Sequence, residues 1–294
     1  MAAFFQQVVS GLASGGIYAA LALALVLIHR ATGVINFAQG EMAMFTTYIA
    51  WTLTANHGWS YWPAFIATLL FAFTLGLGIQ RIIIRPIERA SVLTTVIVTI
   101  GLVLIFNGAA GWIWSAEIRA FPSPFPNETW RVGGVAISQQ DVGTIGVVIV
   151  LVVLLGAFFR YTKIGLALRA AALNPDASRL VGVRVGWMLG IGWGLAAMLG
   201  AVAGMLAAPT VFLDPNMMQA ILIYAFAAAV LGGIDSPVGA VVGGLLLGVG
   251  LNLVGAYIDF VGADLRLPVA LLIILIVLLV RPAGLFGKAV ARRV

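Results

Sequence analysis

The chain has 294 residues, of which 62% are hydrophobic and only 9% charged, and its mean hydropathy is +1.12. That much apolar surface exceeds what a soluble core of this length can bury, so the surplus faces acyl chains or neighbouring helices, which excludes a soluble enzyme and a disordered tail. The 16 Lys and Arg against 10 Asp and Glu leave a net charge of +6, but the basic residues stand between hydrophobic runs and report membrane orientation, not nucleic-acid binding. With no cysteine there is no disulfide framework, thiolate metal site or cysteine nucleophile.

About 20 apolar residues span a bilayer core, so charge-free stretches measure the crossings. No charge precedes Arg30, 39 residues separate Glu41 from Arg81, and 27 separate Arg89 from Glu117. The 39-residue stretch contains Asn56-His57-Gly58-Trp59-Ser60, a polar turn that splits it in two. The predicted spans are Phe4–Ile28, Val34–Leu53, Trp62–Ile79, Val92–Trp114, Val142–Phe159, Val185–Ala207, Met217–Leu231, Val238–Tyr257 and Leu267–Val280. Met217–Leu231 follows Pro209 and Pro215 and reads either as a crossing or as a broken half-helix packed inside the protein, giving eight or nine spans. Leu267–Val280 is short, and Arg266 and Arg281 can snorkel to the two interfaces. Met1-Ala2-Ala3 lacks the basic start of a cleaved signal, so the first span is expected to remain in the mature chain.

Alternating spans place Arg30, Arg81, Arg85, Arg89, Arg160, Lys163, Arg169, Arg179, Arg184, Arg281, Lys288, Arg292 and Arg293 on one face. Arg119, Arg131 and Arg266 fall on the other, with Glu117, Glu128, Asp141, Asp214, Asp259 and Asp264. The basic face is then cytoplasmic, the tail 281–294 is inside, and the segment 117–141, stiffened by Pro122, Pro124 and Pro126, is an outer loop. The whole chain reads as one transmembrane domain with no repeat of fixed period. Glycines spaced for close helix approach recur at Gly11/Gly15, Gly186/Gly190/Gly194, Gly200/Gly204, Gly239/Gly243 and Gly244/Gly248.

Soluble catalytic machinery is missing from this sequence. The string nearest to a phosphate-binding loop, Gly284-Leu285-Phe286-Gly287-Lys288-Ala289, has the wrong spacing and no hydroxyl for magnesium. His29 and His57 are too few and too far apart to propose a metal site, and no catalytic residue is assigned. The longest cytoplasmic interval, 160–184, carries helix signals instead. Asn174 suits an N-cap, Pro175 the first helical position, Asp176 the helix dipole, and Gly182 a stop after Pro175–Val181. Apolar Ala177, Leu180 and Val181 on that helix suit a partner's groove better than a connector lying on anionic lipid.

This interval resembles the cytoplasmic coupling loop of LivH-type permeases, the membrane subunits of ABC importers for branched-chain amino acids. Further matching stretches are Ile35-Asn36-Phe37-Ala38-Gln39-Gly40-Glu41, Arg85-Pro86-Ile87, Gly165 to Arg184, Gly232 to Ala240, and Arg281-Pro282-Ala283-Gly284-Leu285-Phe286-Gly287. They run in the family's order from the first tenth of the chain to its tail. The resemblance implies an all-α polytopic ABC-importer permease fold of the LivH and ribose-permease type in a prokaryotic inner membrane. It also implies a core of two permeases and two ATPases, fed by an extracytoplasmic solute-binding protein. ATP and magnesium would sit on the ATPases, with no cofactor on this chain, and the second permease is expected to be a paralogue. Relatives in this wider family carry branched-chain amino acids, urea, short amides and aromatic acids.

Arg169, Asn174, Pro175, Asp176, Arg179, Leu180 and Gly182 are the expected coupling residues. Candidates for the pathway are the polar groups inside the spans: Asn36, Gln39 and Glu41 in the second, and the midspan Asn107, Gln219 and Asn252. Glu41 is the sharpest of them, since a carboxylate in lipid must face a cavity, find a basic partner or tie two helices together. An ion-coupled carrier working alone, with Glu41 as its protonatable group, is the alternative reading.

Overall fold

The computed structural model describes residues 1–88, 90–126, 128–132, 135–262 and 264–287. Arg89, Lys288, Arg292 and Arg293 of the basic face lie outside the described residues, as does the end of the phosphate-loop-like string. Helix α1 (Ala2–Thr32) ends where Gly33 turns left-handed (φ 72) and donates its N–H to the His29 carbonyl at 2.7 Å. Helices α2 (Gln39–Trp51) and α3 (Tyr61–Ile79) follow, joined through a π turn at Thr52–Asn56, and α3 runs on through wider and tighter turns to Ile87. Next come α4 (Val92–Trp114), strands β1 (Thr129–Val132) and β2 (Val135–Ser138), and α5 (Gln139–Tyr161). The short α6 (Lys163–Leu173) and α7 (Pro175–Leu180) precede α8 (Val185–Val211), α9 (Gln219–Gly232), α10 (Pro237–Tyr257) and α11 (Arg266–Val280).

Five helices start at a hydroxyl or amide side chain that accepts a first-turn N–H: Ser91, Ser138, Thr162, Asn174 and Ser236. Among the described residues, six helices are long and apolar enough to cross a membrane, and α9 and α11 are shorter apolar helices. One expectation needs revision, and two features are new. The second span is not helical from Val34: its helix starts only at Gln39, because the Asn36 side chain and carbonyl accept the N–H groups of Ala38 (3.1 Å) and Gln39 (3.3 Å) in a tight turn. The segment 117–141 holds an antiparallel pairing of β1 with β2, Thr129 with Ser138 and Trp130 with Ile137. The interval 160–184 holds a further helix before α7, since the Thr162 hydroxyl accepts the Gly165 N–H at 2.9 Å and restarts the chain as α6.

Helices α1 and α8 form the buried centre and α2, α9 and α10 pack around them. A Cβ on Gly11 would stand 2.7 Å from the Val249 Cα, and one on Gly244 2.6 Å from the Ala19 Cα, so α1 and α10 touch backbone to backbone and run antiparallel. Gly200 and Gly204 let α2 lie parallel against α8, a Cβ on Gly200 meeting the Gln39 Nε2 at 2.6 Å. Gly239 and Gly243 close the α9–α10 hairpin against Gly232 and Ala228. A Cβ on Gly190 would stand 3.2 Å from the Gln80 Oε1, while one on Gly186 would meet nothing closer than the Arg85 guanidinium at 3.9 Å.

An internal echo emerges from this packing. A long helix, a non-helical turn and a half-length helix occur twice, as α1–α2 and as α8–α9, and the second copy runs in the opposite direction. Each half-helix starts with the same pattern, Asn36-x-x-Gln39 and Asn216-x-x-Gln219. In each the glutamine N–H donates to the asparagine carbonyl, at 3.3 and 3.0 Å, and the two side-chain amides bond one another, at 3.2 and 2.8 Å. Such inverted pairs with broken helices gather sites near a bilayer midplane.

Candidate functional site

The two half-helices begin at the same place. Gly40 at the start of α2 faces Leu222 and the Met218 carbonyl at the start of α9, where a Cβ would come within 3.2 and 3.4 Å. Neither helix has a side-chain cap. Gln39 donates Nε2 to the Ala196 carbonyl at 2.9 Å and is fully buried, which pins α2 to α8. Gly200, against the same side chain, lies roughly 22 Å along the roughly 40 Å of α8. The start of α2 is therefore half-way across the protein.

Around this point the structure gathers Glu41, Asn107, Asp214, Asn216 and Gln219. Asn107 on α4 reaches across to α9's approach, its Nδ2 donating to the Pro215 carbonyl at 2.9 Å and to Asn216 Oδ1 at 3.1 Å. Gln219 Nε2 donates to the same Asn216 oxygen at 2.8 Å, and Asp214 Oδ1 accepts the Asn216 N–H at 2.7 Å. Glu41 is 4% exposed, its Oε2 has no hydrogen-bond partner, and its carboxyl is turned toward Asn107 within electrostatic range of Asp214. A cavity of about 460 Å³ opens beside them, lined by Asn107, Gly108, Gly111, Asp214, Pro215 and Asn216. Asn216 and Gln219 are exposed on the chain's own surface. Polar groups at bilayer depth do not face lipid without a cost of several kcal/mol each, about 2.5–3.5 for a charged one, so this face belongs to a wet path or to a neighbouring subunit.

Of the residues singled out from sequence, Asn36 and Gln39 tie the turn and the α2–α8 seam, and Glu41, Asn107 and Gln219 come together. Asn252 does not join them: it bonds the Gln7 carbonyl at 3.4 Å and Arg266 Nη1 at 3.3 Å. Asp214 and Asn216 were not among them, although the repeated Asn-x-x-Gln pattern signals Asn216.

At the other end of α8, α6 and α7 form a separate surface. Leu168 and Ala171 of α6 are buried, the latter against Val185 and Leu189. Asn174 Oδ1 accepts the Ala177 N–H at 3.0 Å and so starts α7. The helix stops at Leu180, one residue earlier than the spacing predicts, and Gly182 then takes φ 85. Asp176 and Arg179 pair at 2.6 Å in solvent, Arg169 is exposed, and Leu173, Leu180 and Val181 are 78%, 89% and 78% exposed. The glycine-rich turn after α9 meets the chain's last described segment, with the Leu285 and Phe286 N–H groups donating to the Leu231 and Gly232 carbonyls at 2.8 and 2.9 Å.

Residues 7–280 match the family model described as branched-chain amino acid transport system / permease component. The chain is 30% identical to the high-affinity branched-chain amino acid transport system permease protein LivH of Escherichia coli strain K12, covering 99% of this chain and 98% of that one. It is 32% identical to the BraD permease of Pseudomonas aeruginosa over the same shares, and 29% identical to a probable LivH of Methanocaldococcus jannaschii over 91% and 87%. A solved structure of PsaBC from Streptococcus pneumoniae in complex with Fab shares the fold, with a TM-score of 0.52, 15% identity, and 94% of this chain and 92% of that chain covered. Multiple apolar helices, the ABC-permease fold and full-length similarity agree, and the chain belongs to the permease components of branched-chain amino acid transport systems.

Proposed function

We propose that this chain is one of two permease subunits of an ATP-driven importer of branched-chain amino acids, working with two ATPases and a solute-binding protein on the outer face. The observation that carries the reading is the α6–α7 pair. It is anchored to the spans by buried Leu168 and Ala171, and presents Leu173, Leu180 and Val181 to solvent beside basic Arg169 and the Asp176–Arg179 pair. An apolar, capped helix of this kind outside the membrane body fits a groove on a partner that moves it. ATP and magnesium act on the ATPases, whose closure pushes α7 and shifts the spans between inward-open and outward-open. The exposed polar face around Asn107, Asn216 and Gln219 then lines the path between the two permeases.

Reconstitution tests this directly. The complex purified with its partners and placed in liposomes should concentrate leucine when ATP and loaded binding protein are supplied. Uptake driven by an ion gradient in the isolated chain would replace the importer reading with that of a self-sufficient carrier.

Orientation follows from the basic face, which puts α7 and the tail inside. Because the chain has no cysteine, single cysteines report sidedness without background. A membrane-impermeant maleimide should label Glu128→Cys in intact cells and Ala177→Cys only after permeabilisation. The reverse pattern would invert the topology.

A further inference from the structure

We propose that the groove bounded by α1, α5, α6, α8 and α10 binds one anionic phospholipid, with an acyl chain lying along the helices and the phosphate held by Arg30 and Arg169. Such a site needs the membrane fold and not the importer reading.

A cavity of about 290 Å³ lies there, and its lining is apolar except for those two arginines. Three helices set its walls in register. The Ser10 hydroxyl donates to Asp141 Oδ2 at 2.7 Å, and a Cβ on Gly16 would stand 3.2 Å from Val148 Cγ2, so α5 runs parallel to α1 with Leu155 level with Leu23 and Phe159 level with Leu27. Helix α10 runs the other way, and the contact of Gly244 with Ala19 brings Val241 to the level of Leu23 and Pro237 to that of Leu27. Arg30 follows in the last turn of α1, so from Leu23 the groove runs roughly 10 Å along that helix, apolar first and cationic at its end. Helix α6 starts just beyond the same end of α5 and packs Ala171 against Val185 and Leu189 at the start of α8. Arg169 therefore reaches the groove from the end that holds Arg30.

The positive charge at that end is not compensated. Among the described residues neither arginine has an acid within 4.0 Å. No acid lines the cavity, and Asp235, the acid nearest to the lining in sequence, pairs with His29 at 3.5 Å. Two cations at one end of an otherwise apolar groove match an amphiphile with an anionic head. A phosphodiester offers two unesterified oxygens, one for each guanidinium, while its acyl chain covers the apolar wall. Basic pockets between membrane helices take headgroups of this kind. A zwitterionic lipid would bring a cation of its own toward the two arginines, and a free anion would leave the wall uncovered. The groove is open to a chain entering from the side: Val238 on its rim is 66% exposed, and a Cβ on Gly156 would meet nothing within 4 Å. An occupied groove joins α6, the neighbour of α7, to α1 and α5 through one lipid molecule.

Native mass spectrometry tests the site on the full chain, purified in mild detergent with whatever subunits accompany it, stripped of lipid and titrated with phosphatidylglycerol or phosphatidylcholine. The wild type should hold one phosphatidylglycerol about tenfold more tightly than phosphatidylcholine, the worth of one charge-assisted hydrogen bond. Arg30→Gln should remove most of that preference. Gly156→Leu, which fills the groove, should weaken phosphatidylglycerol about tenfold, whereas Gly146→Leu, in open space on the same helix but outside the groove, should leave it unchanged. Inorganic phosphate in excess should not displace the lipid; displacement would make this a phosphate site and overturn the acyl-chain assignment. Equal binding of the two lipids by the wild type, or full binding by Gly156→Leu, overturns the proposal. A neighbouring subunit seated in the groove would leave the wild type without its tight phosphatidylglycerol, and overturns it too. Should Gly156→Leu fail to fold, the wild-type preference and its loss in Arg30→Gln decide.

Discussion

Gly248→Leu should nearly abolish folded protein in the membrane, and Gly250→Leu, two residues along the same helix, should not. A side chain at Gly248 would run into the Gly15 backbone and reach the Gly11 carbonyl at 2.5 Å, whereas the space around Gly250 is open within 4 Å. Overpacking usually costs about 1–3 kcal/mol because neighbouring side chains give way. Here the obstacle is main chain on α1, one of the two helices at the buried centre, so α1 and α10 must move apart. That separation costs more than about 3 kcal/mol, a large share of the roughly 5–15 kcal/mol that holds a typical protein folded. Size-exclusion chromatography of fluorescently tagged variants in mild detergent measures it: the monodisperse peak should fall more than tenfold for Gly248→Leu and stay within twofold for Gly250→Leu. Equal behaviour would mean that the glycine seam is ordinary apolar contact.

That seam was legible in the sequence because small-residue spacing is local. So were most spans, since a run of twenty apolar residues announces its own length, and so was the start of α7, because Asn174, Pro175 and Asp176 are adjacent in sequence. The half-way start of α2 was harder to see. Val34 and Ile35 are as apolar as any span, and the break depends on Asn36 folding its side chain back on the next two residues. The pairing of β1 with β2 is too short for alternation to stand out. The polar cluster was least visible, for Asn107 and Pro215 are 108 residues apart and meet only because α4 packs beside the turn before α9.

The inverted echo explains why both halves matter. Neither α2 nor α9 is long enough to cross alone, and each relies on the long helix before it to carry the chain through. Their starts meet because α1 and α8 run antiparallel and each turns back at a polar break. A force applied at the Val185 end of α8 is therefore close, through one helix, to the turn that precedes α9. The short α6–α7 pair is packed on that end, which is where the proposed coupling to a partner would act.

Leu180→Asp should uncouple that pair most completely. Leu180 is 89% exposed on a helix outside the spans, so its replacement leaves the permease itself intact. On the proposed importer reading the same side chain docks into the ATPase, where full burial of a leucine would contribute about 1.5–3 kcal/mol. Aspartate removes that and adds an unpaired charge to the interface, a further cost of several kcal/mol. Together these weaken docking more than about 100-fold. The exposed Asp176–Arg179 pair contributes only about 0–1 kcal/mol to α7, so Arg179→Ala should lower ATPase affinity less than tenfold. Titration of purified ATPase onto the permease in nanodiscs measures both, and leucine-stimulated ATP hydrolysis should disappear in Leu180→Asp while membrane insertion is unchanged. Normal ATPase binding by Leu180→Asp would move the coupling surface away from α7, with the exposed Leu285 and Phe286 beside the glycine-rich turn as the next surface to test.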